Sequence, residues 1–336
     1  MNEEKNIEDI DVLAIGDTVI DYFIKLKDAS VSCDIDSENC KLCVSFGEKI
    51  PYESVTKVSG VGNSPNAAVA AARLGLKSAL IVNVGKDQYG QDCLDVFKKE
   101  KIITDYIQVQ ENKKTNEHYV LLYEAERTIL IKHEKFDYQI SNDIPNVKWV
   151  YLSSMAENSL DFYPKIIEWL KERPETKLAF QPGTFQIKFG LENLKDIYER
   201  TNIFLCNKGE AEIILGIEKS DIKVLFQKMH ALGPRIVIIS DGPNGAYASD
   251  QNNIYFLPMY PDIAPPVDRT GAGDAFSSTL VSALILGKTL PEAMAWGGIN
   301  SMSVVQYIGA QQGLLSQEKI QEYLALAPEN YQVKKI

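Results

Sequence analysis

Between Asp268 and Phe276 the chain reads DRTGAGDAF, and beyond it Phe276, Leu280, Val281 and Leu284 recur at helical spacing, so a loop feeds directly into a helix N-terminus. Gly271, Ala272 and Gly273 carry almost no side chain. Their N–H groups can approach an anion closely while the helix dipole adds partial positive charge, which is the form of a phosphate cradle. Asp274 follows at once, and a carboxylate against a phosphate-binding turn is repelled by the ligand unless it has a chemical task, such as accepting a hydroxyl proton. Taken alone, the block reads equally as a tight turn with Asp274 capping the helix. Two other nucleotide patterns fail. Ser282 stands where a Walker A loop ending in Gly287, Lys288 and Thr289 needs its first glycine, and Phe276 fills the third glycine position of a dinucleotide fingerprint.

Outward from this block, short β-like runs alternate with amphipathic helical stretches, the pattern of a mostly parallel sheet covered by helices, hence an α/β fold. The strand candidates are Val12 to Ile15, Ser78 to Val84, Trp149 to Leu152, Leu178 to Phe180, Ile203 to Leu205 and Ile236 to Ile239. Helices are expected over Pro65 to Leu74, Gln88 to Glu100, Asp161 to Lys171 and Ala211 to Leu215. Two regions, Val19 to Val58 and Glu117 to His133 around the turn Glu124 to Arg127, alternate with period two and have no intervening helix. They read as an antiparallel flap, which serves as a lid over the site, as a β-extension or as a dimer interface.

A chain of 336 residues with 45% hydrophobic composition can bury a large core. Its formal charge of −11, without a basic stripe, argues against nucleic acid as a partner. The acidic N-terminus lacks the features of a signal peptide and no run is long enough to span a bilayer, so a cytoplasmic protein without a membrane partner is expected. Five cysteines, an odd count, fit reduced thiols better than a disulfide framework. Cys33, Cys40 and Cys43 lack a fourth ligand for zinc. His118, His133 and His230 show no metal or triad spacing and are expected in solvated or capping roles.

Other segments suit a polar small-molecule site. Ser64 with Pro65 reads as a cap followed by proline at the first helical position, and Gly75 as the stop. Capping leaves Gly60, Gly62, Asn63 and Asn66 unexplained; glycines admit a ligand to the backbone, and asparagine amides donate and accept as a polyol demands. Asp17 and Asp21 fall on one face of an extended segment, Asp17 reading as a turn residue; an ionised carboxylate can accept from two neighbouring hydroxyls. Asn207 and Glu210 form a capping box at a strand-to-helix junction. Ser240 to Gly245 make a turn at a strand's carboxyl end, where ligands of open α/β sheets collect.

With these blocks in view, DRTGAGDAF closely resembles the C-terminal signature of the ribokinase or PfkB family of carbohydrate and nucleoside kinases. GVGNSPNAAVAAARLG (Gly60 to Gly75) and GKDQYG (Gly85 to Gly90) resemble that family's N-terminal block and the element after it. The resemblance extends over essentially the whole chain. It implies a single ribokinase-like α/β domain over residues 1–336, with a mostly parallel central sheet flanked by helices and a small β-rich lid formed by about 19–58 and 117–133. It further implies an ATP-dependent carbohydrate kinase that phosphorylates a primary hydroxyl of a small sugar. Asp274 would be the general base and Gly271, Ala272 and Gly273 the anion hole, with Asp21, Gly62, Asn63 and Asn66 on the sugar. Asn207, Ser240, Gly242, Gly245 and Asn300 would face ATP, Asn300 at adenine, and Glu210 would hold Mg2+ through water. Asp268, Thr270 and Gly309 match the places that bind a monovalent cation, K+, in many members. Arg269 departs from the commoner threonine or proline there. Met155, Gln181, Phe185 and Arg127 are expected near the pocket, and a homodimer through the lid is the family's common arrangement. Two alternatives stand beside the sugar kinase: a nucleoside kinase, with Tyr22, Phe23, Tyr119 and Tyr123 offering aromatic surface to a base, and a catalytically silent sugar-binding regulator.

Overall fold

The computed structural model describes residues 9–33, 40–123 and 126–336. Its centre is a nine-stranded sheet in which Ser78–Ile81, Ile10–Ile15, Val147–Leu152, Lys177–Phe180, Ile203–Asn207 and Ile236–Ser240 lie side by side in that order, all parallel. Ala246–Ser249, Ile254–Leu257 and Lys334–Lys335 extend one edge in antiparallel fashion. The continuous apolar runs follow from this arrangement, because helices cover both faces and neither alternate residue meets water. Val12, Ala14, Tyr151, Ala179, Leu205 and Ile238 point into one core layer, with the helices Asn63–Arg73, Ala272–Ile285 and Leu290–Val304. Leu13, Ile15, Val150, Phe180, Phe204 and Val237 point into the other, with Tyr163–Lys171, Lys208–Leu215 and Ile222–Ala231. Loops at the carboxyl ends of the parallel strands therefore converge on one edge, where an open α/β sheet places its ligands.

A second sheet of four strands, Glu126–Leu130, Asn116–Tyr123, Val19–Leu26 and Tyr52–Val61, fits the expected lid. It corrects the antiparallel expectation at its centre. The outer pairs are antiparallel, but Val19–Leu26 and Asn116–Tyr123 run parallel, since they are far apart in sequence and need no hairpin between them. Ser30–Cys33 and Cys40–Cys43 form a separate hairpin. Glu124 and Ala125, in the expected turn, lie outside the described residues.

Three further expectations need correction. The run Ser78 to Val84 is two strands, because Asn83–Gly85 leaves the main sheet to pair with Gln108–Gln110. Cys33 and Cys40 are directly opposite in their hairpin and form a disulfide, against the reading of reduced thiols; Cys43, Cys93 and Cys206 are free. The helix after Val61 starts two residues earlier than a cap at Ser64 implied. Its N-cap is Gly62, at φ 125°, where a Cβ would meet the Asp17 carbonyl at 2.6 Å, so Ser64 lies buried inside the first turn. Among the described residues no helix is long and apolar enough to cross a membrane.

Candidate active site

Two cavities border the segment from Thr270 to Asp274, one on each side. The smaller, about 290 Å³, is lined by Asp21, Gly62, Asn63, Asn66, Thr270 and Asp274 together with residues of the small sheet. The larger, about 550 Å³, is lined by Ser240, Gly242, Gly245, Arg269, Ala272 and Gly273, with Leu257, Phe276 and Met302 as apolar walls.

Asp274 stands in the first turn of Ala272–Ile285, where backbone N–H groups lack carbonyl partners. Gly271, the N-cap, has φ 81°, and a Cβ there would lie 2.2 Å from Cβ of Ala310. Only glycine lets the cradle close on that loop. Around Gly273 the space a Cβ would enter is open. The Asp274 carboxylate accepts from three amides: Asn63 Nδ2 at 2.9 Å and Gln181 Nε2 at 3.0 Å on Oδ1, and Asn66 Nδ2 at 2.9 Å on Oδ2. Those donors are themselves fixed. Gln311 Nε2 donates to Asn66 Oδ1 at 3.0 Å and to the Gly60 carbonyl at 2.8 Å, while the Tyr151 hydroxyl donates to Gln181 Oε1. Burial pushes the Asp274 carboxyl above the usual range, and the amides and the charge of Arg127 oppose it. A carboxylate so placed is more basic than a solvated aspartate.

Asp21 lies on Val19–Leu26 and is largely buried; burial, and then the charge of Asp268, raise its carboxyl to about 7. Its Oδ1 is shut off from solvent without a hydrogen-bond partner. Asp17 is more than a turn residue: it is 5% exposed, accepts from the Tyr138 hydroxyl at 2.9 Å and from Ala156 N at 2.8 Å, and also lines the smaller cavity. Asp268 accepts from Thr270 N at 2.9 Å and Gly309 N at 3.0 Å, which brings the three residues together, and the buried Thr270 Oγ1 has no partner.

On the other side, Asn207 and Glu210 form the capping box, Glu210 N donating to Asn207 Oδ1 at 2.8 Å and Asn207 N to Glu210 Oε2 at 2.9 Å. Burial and then, despite those bonds, the nearby charge of Asp274 raise the Glu210 carboxyl, so it belongs to the same electrostatic neighbourhood. Asn300 is not brought to the larger cavity. It is fully buried, donates to Thr279 Oγ1 at 2.6 Å and accepts from Leu315 N at 2.9 Å, tying two helices and a loop; Gly298, Ser301 and Met302 of its helix face the cavity instead. Arg127 lines the larger cavity and Phe185 the smaller one, whereas Met155 is wholly buried.

Two of the histidines are placed otherwise than expected. His118 and His133 line the smaller cavity with their rings 5.2 Å apart, while His230 bridges Pro234 O and Ser249 Oγ. Their position was hidden because it depends on strand pairing: His118 is the register partner of Asp21. Gln311 and Tyr151 were missed for the same reason, being far from the motifs in sequence.

A family model for pfkB family carbohydrate kinases matches residues 13–317. The ribokinase of Bacillus subtilis is 25% identical over 288 residues, 83% of this chain and 92% of that protein. Among solved structures, the Arabidopsis thaliana ribokinase complexed with ribose and ATP superposes with a TM-score of 0.77 at 18% identity, covering 94% of this chain and 99% of that one. A Methanocaldococcus jannaschii nucleoside kinase, an archaeal member of the ribokinase family, gives 0.75 at 19% identity, with the same coverage. A putative ribokinase II from E. coli in complex with ATP and Mg2+ gives 0.73 at 18% identity or less, namely 17%, covering 94% and 99%. The chain belongs to the pfkB family of carbohydrate kinases. It is accordingly a phosphotransferase acting on an alcohol group, with the ribokinase fold.

Proposed function

We propose that the protein transfers the terminal phosphoryl group of ATP to a primary hydroxyl of a small sugar or sugar derivative. The observation that carries this reading is Asp274 itself. Its carboxylate faces the smaller cavity, held by three amides, while the glycine-rich turn that carries it opens on the larger one. The acceptor lies in the smaller cavity and ATP in the larger. As the acceptor oxygen bonds to the phosphorus, its proton passes to Asp274 and the bond from phosphorus to the leaving oxygen of ADP breaks. The first-turn N–H groups at Gly271, Ala272 and Gly273 stabilise the equatorial oxygens.

The residues present fit a divalent cation. Glu210 is a half-buried carboxyl raised by desolvation and then by the charge of Asp274, and a cation held through water relieves that repulsion. When bound, Mg2+ screens the phosphate charge against these acids. Asp268, Thr270 and Gly309, with the unpartnered Thr270 Oγ1, fit a monovalent cation beside the hole. The same reading takes the enzyme as cytoplasmic and as a homodimer through the small sheet, which exposes Tyr52, Val55 and Leu130; a stable monomer on sedimentation would remove the dimer.

The sugar reading is favoured over the nucleoside one by two observations. Tyr22 stacks on Tyr119 with centroids 5.5 Å apart and Phe23 is buried, and none of Tyr22, Phe23, Tyr119 and Tyr123 is among the residues lining the smaller cavity. A cavity of about 290 Å³ is at the lower end for ligand pockets and suits a monosaccharide. An ADP-release screen across pentoses, hexoses, sugar acids and nucleosides, with and without K+, tests it. Preference for adenosine would establish the nucleoside reading, and absence of turnover with every acceptor the silent regulator.

A further inference from the structure

The proposed chemistry leaves two histidines of the acceptor cavity unexplained. His118 sits beside Asp21 in the parallel register of the small sheet, its Nδ1 3.6 Å from Asp21 Oδ1. His133 lies between the rings of His118 and Phe185, at centroid distances of 5.2 and 5.6 Å, with its Nδ1 3.5 Å from Asp17 Oδ2. Burial, and secondarily His133, push His118 down to about 4, so its imidazole is neutral. At 3.6 Å the Asp21 carboxylate is beyond hydrogen-bond reach of Nδ1, but its charge favours the tautomer with the proton on Nδ1, which leaves Nε2 as an acceptor. Nε2 of His118 and Oδ1 of Asp21 are both buried without a hydrogen-bond partner. Buried polar groups left this way are costly, and two of them on adjacent strands of one ligand cavity point to a ligand that supplies two donors.

Charge narrows the ligand further. The acidic side chains lining the cavity are Asp17, Asp21 and Asp274, and neither lysine nor arginine is among its lining residues. Arg127 lines the nucleotide cavity instead, and Lys188 lies 5.7 Å from the ring centroid of Phe185. A phosphate or carboxylate on the acceptor would meet three aspartates with no lysine or arginine in the lining to offset them.

We propose that His118 is a specificity-determining residue which, together with Asp21, takes two neighbouring hydroxyls of an uncharged polyol, and that the cavity excludes phosphorylated and carboxylated sugars. This rests on the reading of the smaller cavity as the acceptor pocket. The test uses the full chain with Mg2+ and ATP, and measures ADP release and calorimetric binding for ribose, fructose, myo-inositol, adenosine, fructose 6-phosphate and gluconate. A neutral acceptor is expected to be preferred over both anions. For that acceptor, His118→Ala raises KM or Kd about 10- to 100-fold while the KM for ATP and kcat stay within about threefold. His118→Gln, which keeps an acceptor, recovers much of the loss. One monodeoxy analogue of the acceptor is discriminated against by wild type and no longer by His118→Ala. The proposal is overturned if an anionic sugar is preferred, if no neutral polyol binds at 10 mM (roughly the weakest affinity such a site would show), or if His118→Ala weakens every analogue and ATP alike. Failure of the underlying reading looks different: the KM of the preferred acceptor is unmoved by Asn63→Ala and Asn66→Ala as well as by His118→Ala, whereas failure of the proposal alone leaves the two asparagine variants impaired.

Discussion

Asp274→Asn removes one oxygen's charge and leaves the shape of the side chain. Loss of general-base catalysis costs about 10²- to 10⁴-fold, equivalent to about 3–5 kcal/mol of transition-state stabilisation. Stability should move little, for reasons of sign. The folded Asp274 carboxyl titrates above its unfolded value, so the ionised group costs stability above that unfolded pKa, and the cost vanishes where both states are protonated. An uncharged asparagine removes this cost. Against it, Asn63, Gln181 and Asn66 now share one carbonyl acceptor and face an NH2 group, which loses a charge-assisted bond worth about 1.5–3 kcal/mol. The two effects oppose each other, and the Tm should stay within about 3 °C of wild type. ADP release, calorimetric ATP binding and thermal melts measure the three quantities. The expected pattern is a kcat reduced at least about 100-fold with ATP affinity within about threefold. A kcat above about a tenth of wild type refutes the base assignment. A fall in Tm beyond about 6 °C refutes the stability argument and makes the carboxylate a structural tie.

For Asp21, whose carboxyl lies near 7, kcat/KM for the acceptor should rise between pH 6 and 8 because the ionised form takes the hydroxyls; Asp21→Asn should flatten that limb. Since the folded pKa is the higher one, Asp21→Asn should also raise the Tm at pH 8 and leave it unchanged at pH 3, which parallel melts would show. Gly271→Ala, forced into φ 81° and against Ala310, should lose about 1–3 kcal/mol of stability and most activity, whereas Gly273→Ala, entering open space, should keep its Tm and lose kcat through crowding of the phosphoryl group. Equal melts for the two variants would contradict this. Arg73 binds Glu100 through two nitrogens and donates to the carbonyls of Gln311 and Leu314, so Arg73→Ala should cost about 2 kcal/mol in urea melts and weaken acceptor binding by loosening the loop that orients Asn66.

What could be read from the sequence was whatever local chemistry determines. The apolar strand runs, the glycine turn before Asp274 and the capping box at Asn207 carry their structure in adjacent residues. Ser64 misled because it is a good cap by type, while the backbone conformation selecting Gly62 is set by its close approach to the Asp17 carbonyl in the loop between Ile10–Ile15 and Val19–Leu26. Asn300 is polar on a helix, and nothing in its neighbours reveals that Thr279 and Leu315 consume its amide. His118 reaches the smaller cavity only because Asn116–Tyr123 pairs parallel to Val19–Leu26, a long-range register. The Cys33–Cys40 disulfide was missed by counting thiols, where the deciding fact is that the two are opposite in one hairpin.

The acids of the site are arranged against one another. Asp268 raises Asp21, and Asp274 raises Glu210, so the protein alone holds like charges close around a helix N-terminus. Such an arrangement is a stability cost placed where ligands remove it. Hydroxyl donors relieve Asp21, and cationic charge near Glu210 relieves both Glu210 and, through it, Asp274.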